Sequence, residues 1–147
     1  MGSGKSSGRE AISGRLAIKS SESGSTKANG LITISFNEVP GKSVAVVFTG
    51  GCNFRCPWCQ NRDLVLRPET LPEISEDAVF SAVERRRNWL DGIAITGGEP
   101  TLQPDLQDFC RRVKEKGLWL SVATNGSNPE ILENLIKQGL VDYISMD

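Results

Sequence analysis

The chain contains no histidine and only four cysteines among its 147 residues. Without histidine it lacks the commonest general acid and base of enzymes and the commonest zinc ligand. No apolar run approaches the roughly 20 residues of a membrane span, and the N-terminus lacks the apolar core of a secretory signal. A net charge of −1 gives no electrostatic reason to expect a nucleic acid or an anionic membrane as partner. Any chemistry must therefore come from thiolates, carboxylates, backbone groups or a cofactor.

Three of the four cysteines lie in one short segment. Cys52, Cys56 and Cys59 have the spacing Cys-x3-Cys-x2-Cys, which is not typical of a disulfide framework and favours metal binding in a reducing compartment such as the cytoplasm. Three thiolates can hold three irons of a four-iron, four-sulfur cluster, whereas four cysteines usually close a cluster used for electron transfer. The spacing therefore predicts a cluster with one iron left free for chemistry.

Structural zinc is the alternative for the same three cysteines. Zinc usually takes four nitrogen or sulfur ligands, and Cys110 is the only cysteine left to supply the fourth. Cys110 shares a predicted helix face with Leu106, Phe109 and Val113. We therefore expect Cys110 to be a small buried hydrophobic residue and not a ligand.

Hydrophobic periodicity divides the chain into a tail and one domain. Residues 1–30 are rich in serine, glycine and lysine and predict a flexible tail, and residues 31–147 predict the domain. Predicted strands cover 31–36, 44–49, 93–96, 118–123 and 141–146. Predicted helices run from a Ser75 cap to about Asn88, from Pro104 to Gly117, and from Asn128-Pro129 to Gly139. This alternation predicts an α/β fold with a parallel sheet.

Polar segments follow four of the predicted strands. They are the cysteine loop, Gly97-Gly98-Glu99-Pro100, Thr124-Asn125-Gly126 and Asp147. In parallel α/β folds the working residues lie in loops at the carboxyl ends of the strands. The order of segments therefore predicts one site at one edge of the sheet.

The cysteine loop followed by Gly-Gly-Glu-Pro resembles the radical S-adenosylmethionine (SAM) enzymes. More narrowly, Pro-Gly-Lys-Ser-Val-Ala-Val-Val-Phe leading into Gly-Cys-Asn-Phe-Arg-Cys-Pro-Trp-Cys-Gln-Asn resembles the activating proteins of glycyl-radical enzymes, of the anaerobic ribonucleoside-triphosphate reductase activating type. The resemblance covers about residues 31–147. It implies a partial parallel (βα) barrel, and the chain is expected to be truncated after the fourth parallel strand or to be an unusually short member.

The resemblance also implies a cofactor set and its ligands. Cys52, Cys56 and Cys59 would ligate a 4Fe–4S cluster, whose open iron takes the amino and carboxylate groups of SAM. The implied SAM contacts are Trp58 and Gln60 near the adenine, Gly97, Gly98 and Glu99 at the methionine amino group, Thr124 and Asn125 toward the ribose, and Asp147. The glycines are expected to let the backbone approach the cofactor. No side chain is implied as catalytic, because the reduced cluster and SAM together generate a 5′-deoxyadenosyl radical.

Taken from the residues alone, two of these segments also have simpler interpretations. Glu99 can cap the helix that follows it, and Thr124-Asn125-Gly126 has the composition of an ordinary turn.

The implied substrate is a glycine Cα–H on a large partner, such as anaerobic ribonucleotide reductase. An electron donor such as flavodoxin or ferredoxin is implied as a second partner, and neither nucleic acid nor membrane is expected. Two alternatives stay open: a radical SAM enzyme of small-molecule metabolism resembling 7-carboxy-7-deazaguanine synthase, and a non-catalytic fragment that binds an iron–sulfur cluster or zinc. The Pro-Gly-Lys lead-in and the Cys-Gln-Asn exit favour the glycyl-radical activator.

Overall fold

A mixed five-stranded sheet organises the computed structural model, which describes residues 28–146. The strands, in order across the sheet, are β1 Gly30–Ser35, β2 Val44–Thr49, β3 Gly92–Gly97, β4 Trp119–Thr124 and β5 Tyr143–Met146. β1 pairs antiparallel with β2, and β2 to β5 pair in parallel. The predicted α/β class and parallel sheet are confirmed, and the four parallel strands with their connecting helices form a partial (βα) barrel.

Helices fill the connections between the parallel strands. Within the described residues they are α1 Arg62–Leu66, α2 Glu76–Arg85, α3 Leu106–Glu115 and α4 Pro129–Lys137, with short 3-10 turns at Pro68–Thr70, Arg87–Trp89 and Pro100–Leu102. None of these helices is both long enough and apolar enough to cross a membrane.

Alternate residues of the central strands point to opposite faces of the sheet. One set packs with α2, α3 and α4 in the main core: Ala45, Val47, Ile93, Ile95, Leu120 and Val122. On the opposite face, Val44 and Val46 pack with Val39 and Ala94. β2 is therefore buried on both faces, which explains its uninterrupted run of apolar residues.

The helix boundaries differ from the predictions near two ends. Ser75 caps α2 as predicted, since its side chain accepts the N–H of Ala78, but α2 ends at Arg85 and a separate 3-10 turn continues the chain to Trp89. Pro104 does not lie in the first turn of α3. It lies in a preceding turn in which Leu106 N–H donates to the carbonyl of Gln103, at the second turn position, where its fixed φ is favourable.

The structured part begins before the predicted boundary at residue 31. Ala28 is buried and forms a β-bridge with Ile74, and the N–H of Asn29 donates to the carbonyl of Phe48 at 2.7 Å. Residues 28–30, which were predicted to belong to the tail, are therefore held by backbone hydrogen bonds. The remainder of the predicted tail and Asp147 lie outside the described residues.

Candidate functional site

Three of the predicted site segments meet at the carboxyl edge of the parallel strands. The cysteine loop follows β2, Gly98 and Glu99 follow β3, and Asn125 follows β4. Gly98 N–H donates to the carbonyl of Thr49 at 2.9 Å, and Glu99 N–H donates to the carbonyl of Gly51 at 2.8 Å. The loop after β3 is thus hydrogen-bonded to the segment that leads into the cysteines, as the parallel order of the strands predicts.

The chain segments at the ends of β2 and β3 lie so close together that only glycine fits at positions 97 and 98. A Cβ at Gly98 would lie 2.0 Å from the carbonyl oxygen of Gly51, and a Cβ at Gly97 would lie 2.3 Å from that of Thr49. Gly97 also has φ +122°, which residues with a side chain rarely adopt. The space that the missing side chains leave is filled by the protein's own backbone, so the expected close approach to a cofactor is not needed to explain these glycines.

The carboxylate of Glu99 joins the loops after β3 and β4. Its side chain is 1% exposed. Oε1 accepts hydrogen bonds from the Thr101 hydroxyl at 2.6 Å and the Thr124 hydroxyl at 2.5 Å. Oε2 accepts the N–H of Asn125 at 2.7 Å. Each of these hydrogen bonds offsets part of the free-energy cost of burying the Glu99 carboxylate.

Glu99 also caps the turn that follows it. Its Oε1 accepts the N–H of Thr101 at 3.2 Å, at the start of the 3-10 turn Pro100–Leu102. The capping interpretation of Glu99 therefore describes the structure. Sequence reasoning missed Thr101, although an acidic residue followed by proline at the first position of a turn is a capping signal.

The loop after β4 contacts the cysteine loop through Asn125 and Ser127. The side-chain Nδ2 of Asn125 lies 3.8 Å from Cys52 Sγ and 3.0 Å from Asn53 Oδ1. Asn53 in turn donates through its Nδ2 to the hydroxyl of Ser127 at 3.0 Å. Thr124 and Asn125, predicted from resemblance to face a ribose, thus contact Glu99 and the cysteine loop within the protein itself.

The three loop cysteines are half-buried and carry no disulfide. Cys52 Sγ accepts the N–H of Phe54 at 3.4 Å, and Cys59 N–H donates to the carbonyl of Cys56 at 3.1 Å. The guanidinium of Arg55 donates to the carbonyl of Cys52 at 2.7 Å. Local hydrogen bonds therefore shape the loop, while the three cysteine residues remain partly exposed.

Trp58 and Gln60 lie on the outer side of the cysteine loop. Trp58 is 78% exposed. Gln60 is exposed and, with Asn29, Phe48 and Asn61, lines a cleft of about 580 Å³ between β1 and the start of α1. Both side chains are accessible to a ligand.

Two amide side chains that sequence reasoning did not single out also hold the loop. Asn61 Nδ2 donates to the carbonyl of Gly97 at 3.3 Å, and Gln103 Nε2 donates to that of Gly50 at 3.0 Å. Asn61 is the last residue of the Cys-Gln-Asn sequence that ends the cysteine loop. No other feature of the sequence indicated that Asn61 holds the loop.

Cys110 lies in the main core and not with the other cysteines. Its side chain is 0% exposed on α3, as predicted. Burial raises the pKa of the Cys110 thiol to about 12, because the thiolate would be poorly solvated there. Cys110 is therefore not placed to act as a fourth ligand beside the loop.

The donor set of the loop fits an iron–sulfur cluster. Cysteine thiolates are the usual ligands of such clusters, and three free thiols lie within eight residues. Across residues 28–146, no three His, Cys, Asp or Glu side chains are grouped so that they could hold one metal ion. The fit to a cluster therefore rests on the chemistry of the three thiols.

Comparison with known proteins assigns the chain to a family. The model of the radical SAM superfamily matches residues 46–147. A Methanocaldococcus jannaschii protein, named provisionally as a glycyl-radical enzyme activating enzyme, is 41% identical over 123 residues, covering 81% of this chain and 48% of its own length. The pyruvate formate-lyase-activating enzyme of Streptococcus mutans is 34% identical over 134 residues, covering 82% of this chain and 51% of its own length.

Other similar proteins are not named as glycyl-radical activators. The 7-carboxy-7-deazaguanine synthase of Synechocystis is 33% identical over 89 residues, covering 60% of this chain and 41% of its own length. Among solved structures, QueE from Escherichia coli matches with a TM-score of 0.55 and 17% identity over 69% of this chain and 53% of its own length. That match supports the fold.

The chain spans about half the length of the curated relatives it matches. The matched segment includes the cysteine loop, Gly-Gly-Glu-Pro and the loop after β4. With these segments joined at one edge of a mostly parallel sheet, the sequence match and the fold agree. The chain belongs to the radical SAM superfamily.

Proposed function

We propose that this chain holds a 4Fe–4S cluster and SAM, and that it belongs to an enzyme that generates a glycyl radical on a partner protein. The observation that carries the proposal is the meeting of the three loops. Buried Glu99 and the amide of Asn125 tie the ends of β3 and β4 to the loop that bears three free, partly exposed thiols. The 41% identity to a protein named as a glycyl-radical activator supports the finer assignment.

In this proposal Cys52, Cys56 and Cys59 each bind one iron as thiolates. The bound, reduced cluster would supply the electron for reductive cleavage of SAM, and the radical chemistry that this allows would remove the hydrogen atom from a glycine Cα–H. The protein's part is to hold the loops and to exclude water and oxygen. Exposed Trp58 and Gln60 and the partly exposed Gly98 are the proposed contacts of SAM.

Anaerobic reconstitution of the full chain with iron and sulfide tests the cluster. We expect about four irons per chain, an electron paramagnetic resonance (EPR) signal after reduction, and a change in that signal when SAM is added. Cys56→Ala should lose most of the iron, because one of three thiolates is removed. The matched control is Cys110→Ala, which removes the buried thiol of the core and should retain the iron. Full iron in Cys56→Ala, or a spectrum that SAM leaves unchanged, contradicts the proposal.

The partner is tested by radical transfer. The reconstituted chain, SAM and reduced flavodoxin or ferredoxin are mixed anaerobically with ribonucleotide reductase of the anaerobic class or with pyruvate formate-lyase. The proposal expects an organic radical signal on one of these proteins that is absent with Cys56→Ala.

A second candidate is a 7-carboxy-7-deazaguanine synthase, favoured by the Synechocystis relative. Formation of the 7-carboxy-7-deazaguanine product without any protein radical would favour it.

A further inference from the structure

The side-chain amide of Asn125 presents a hydrogen-bond donor to the first cysteine of the loop. Its Oδ1 accepts the backbone N–H of Ser127 at 2.9 Å. A backbone N–H can only donate, so this contact fixes which end of the amide is oxygen. The Nδ2 end therefore faces Cys52 Sγ, at 3.8 Å, and also reaches Asn53 Oδ1 at 3.0 Å.

The backbone of Asn125 is held by Glu99. The Asn125 N–H donates to Glu99 Oε2 at 2.7 Å, and the neighbouring Thr124 hydroxyl donates to Oε1 at 2.5 Å. Glu99 is itself 1% exposed and hydrogen-bonded to Thr101. The buried carboxylate restrains the start of this loop, and the Ser127 contact holds the Asn125 amide in the orientation that faces the sulfur.

We infer that Asn125 is a positioning residue for Cys52. Its side-chain N–H stabilises the thiolate of Cys52 as a cluster ligand. The inference rests on the proposed cluster. A donor to a cluster sulfur favours the reduced, more negatively charged state, and hydrogen bonds to sulfur are among the factors that set cluster potentials. Asn125 therefore raises the midpoint potential and makes the cluster easier to reduce.

The midpoint potential of the reconstituted full chain tests this inference. We expect Asn125→Ala to shift the potential to a more negative value while the chain retains most of its iron. The matched control is Asn128→Ala, which removes an amide of the same loop that donates to the Thr101 hydroxyl at 2.8 Å and not to a sulfur. Its potential should stay close to that of the unmodified chain. EPR-monitored redox titration measures all three proteins.

A second variant keeps the test possible if Asn125→Ala does not hold the cluster. Should Asn125→Ala take up too little iron to titrate, Asn125→Leu keeps about the size of the side chain without a donor or a charge, and it should also shift the potential to a more negative value. An unchanged potential in the titratable variant, or an equal shift in Asn128→Ala, overturns the inference. An unmodified chain that binds no cluster refutes the proposed function and the inference with it, whereas a normal cluster with no shift refutes the inference alone.

Discussion

Gly98 lies where the loops after β2 and β3 leave no room for a side chain. We expect Gly98→Ala to lower the free energy of unfolding by about 3 kcal/mol, at the upper end of the cost of overpacking. The reason is that its Cβ would lie 2.0 Å from a backbone oxygen, which cannot rotate away as a flexible side chain can. Urea unfolding under anaerobic, reducing conditions measures the change.

Gly41→Ala is the control for Gly98→Ala. Gly41 has φ +73°, and a Cβ there would meet nothing within 4 Å. Its replacement therefore carries a conformational cost of roughly 1–2 kcal/mol without a clash. If Gly98→Ala costs no more than Gly41→Ala, the loops are not packed as tightly as the contact with Gly51 implies.

At the scale of an element, α2 depends on a cap that its sequence encodes. Ser75 Oγ accepts the N–H of Ala78 at 3.2 Å. Ser75→Ala should lower the free energy of unfolding by about 1 kcal/mol, because one N–H of the first turn loses its partner. Thermal or urea unfolding measures the loss.

Ser81→Ala makes the same substitution on the same helix at an exposed position. It should be neutral or slightly stabilising, since alanine is the better helix former. Equal effects at positions 75 and 81 would show that the cap contributes nothing.

At the scale of the whole molecule, Cys110 links global stability to alkaline pH. Burial raises the pKa of Cys110 from 9.0 to about 12, so between these values the unfolded chain releases this proton and the folded chain keeps it. The stability from the buried thiol is therefore complete below pH 9 and is lost as the pH rises toward 12. We expect the contribution of this residue to the unfolding free energy to fall by at most about 1.4 kcal/mol per pH unit.

Cys110→Ala separates this thiol from the other alkaline groups. The variant should have a lower unfolding free energy at neutral pH, because it leaves a small void, but a flatter decline between pH 9 and 11. Parallel slopes for the two proteins, measured by urea unfolding across that range, would mean that Cys110 ionises equally in both states.

Much of the fold could be predicted from local sequence patterns. The continuous apolar run of β2 and the Ser75 cap predicted their elements because each signal lies within a few residues. Pro104 was misplaced, because a proline suits both the first turn of a helix and the turn before it. α1 was missed: it has five residues, too few to show a helical period. The pair of Glu76 with Arg112, which joins α2 to α3, is 36 residues apart in sequence and has no local signal.

The sequence by itself determined the three-thiol loop, the alternation of strands and helices, and the edge at which the polar segments gather. Those features follow from spacing and from the rule that parallel strands end on one side. Only the tertiary structure decided that Glu99 is buried and bound by Thr101, Thr124 and Asn125, and that the Asn125 amide faces Cys52. The physical reason is distance along the chain: Asn125 and Cys52 are 73 residues apart, and strand register and loop packing bring them together.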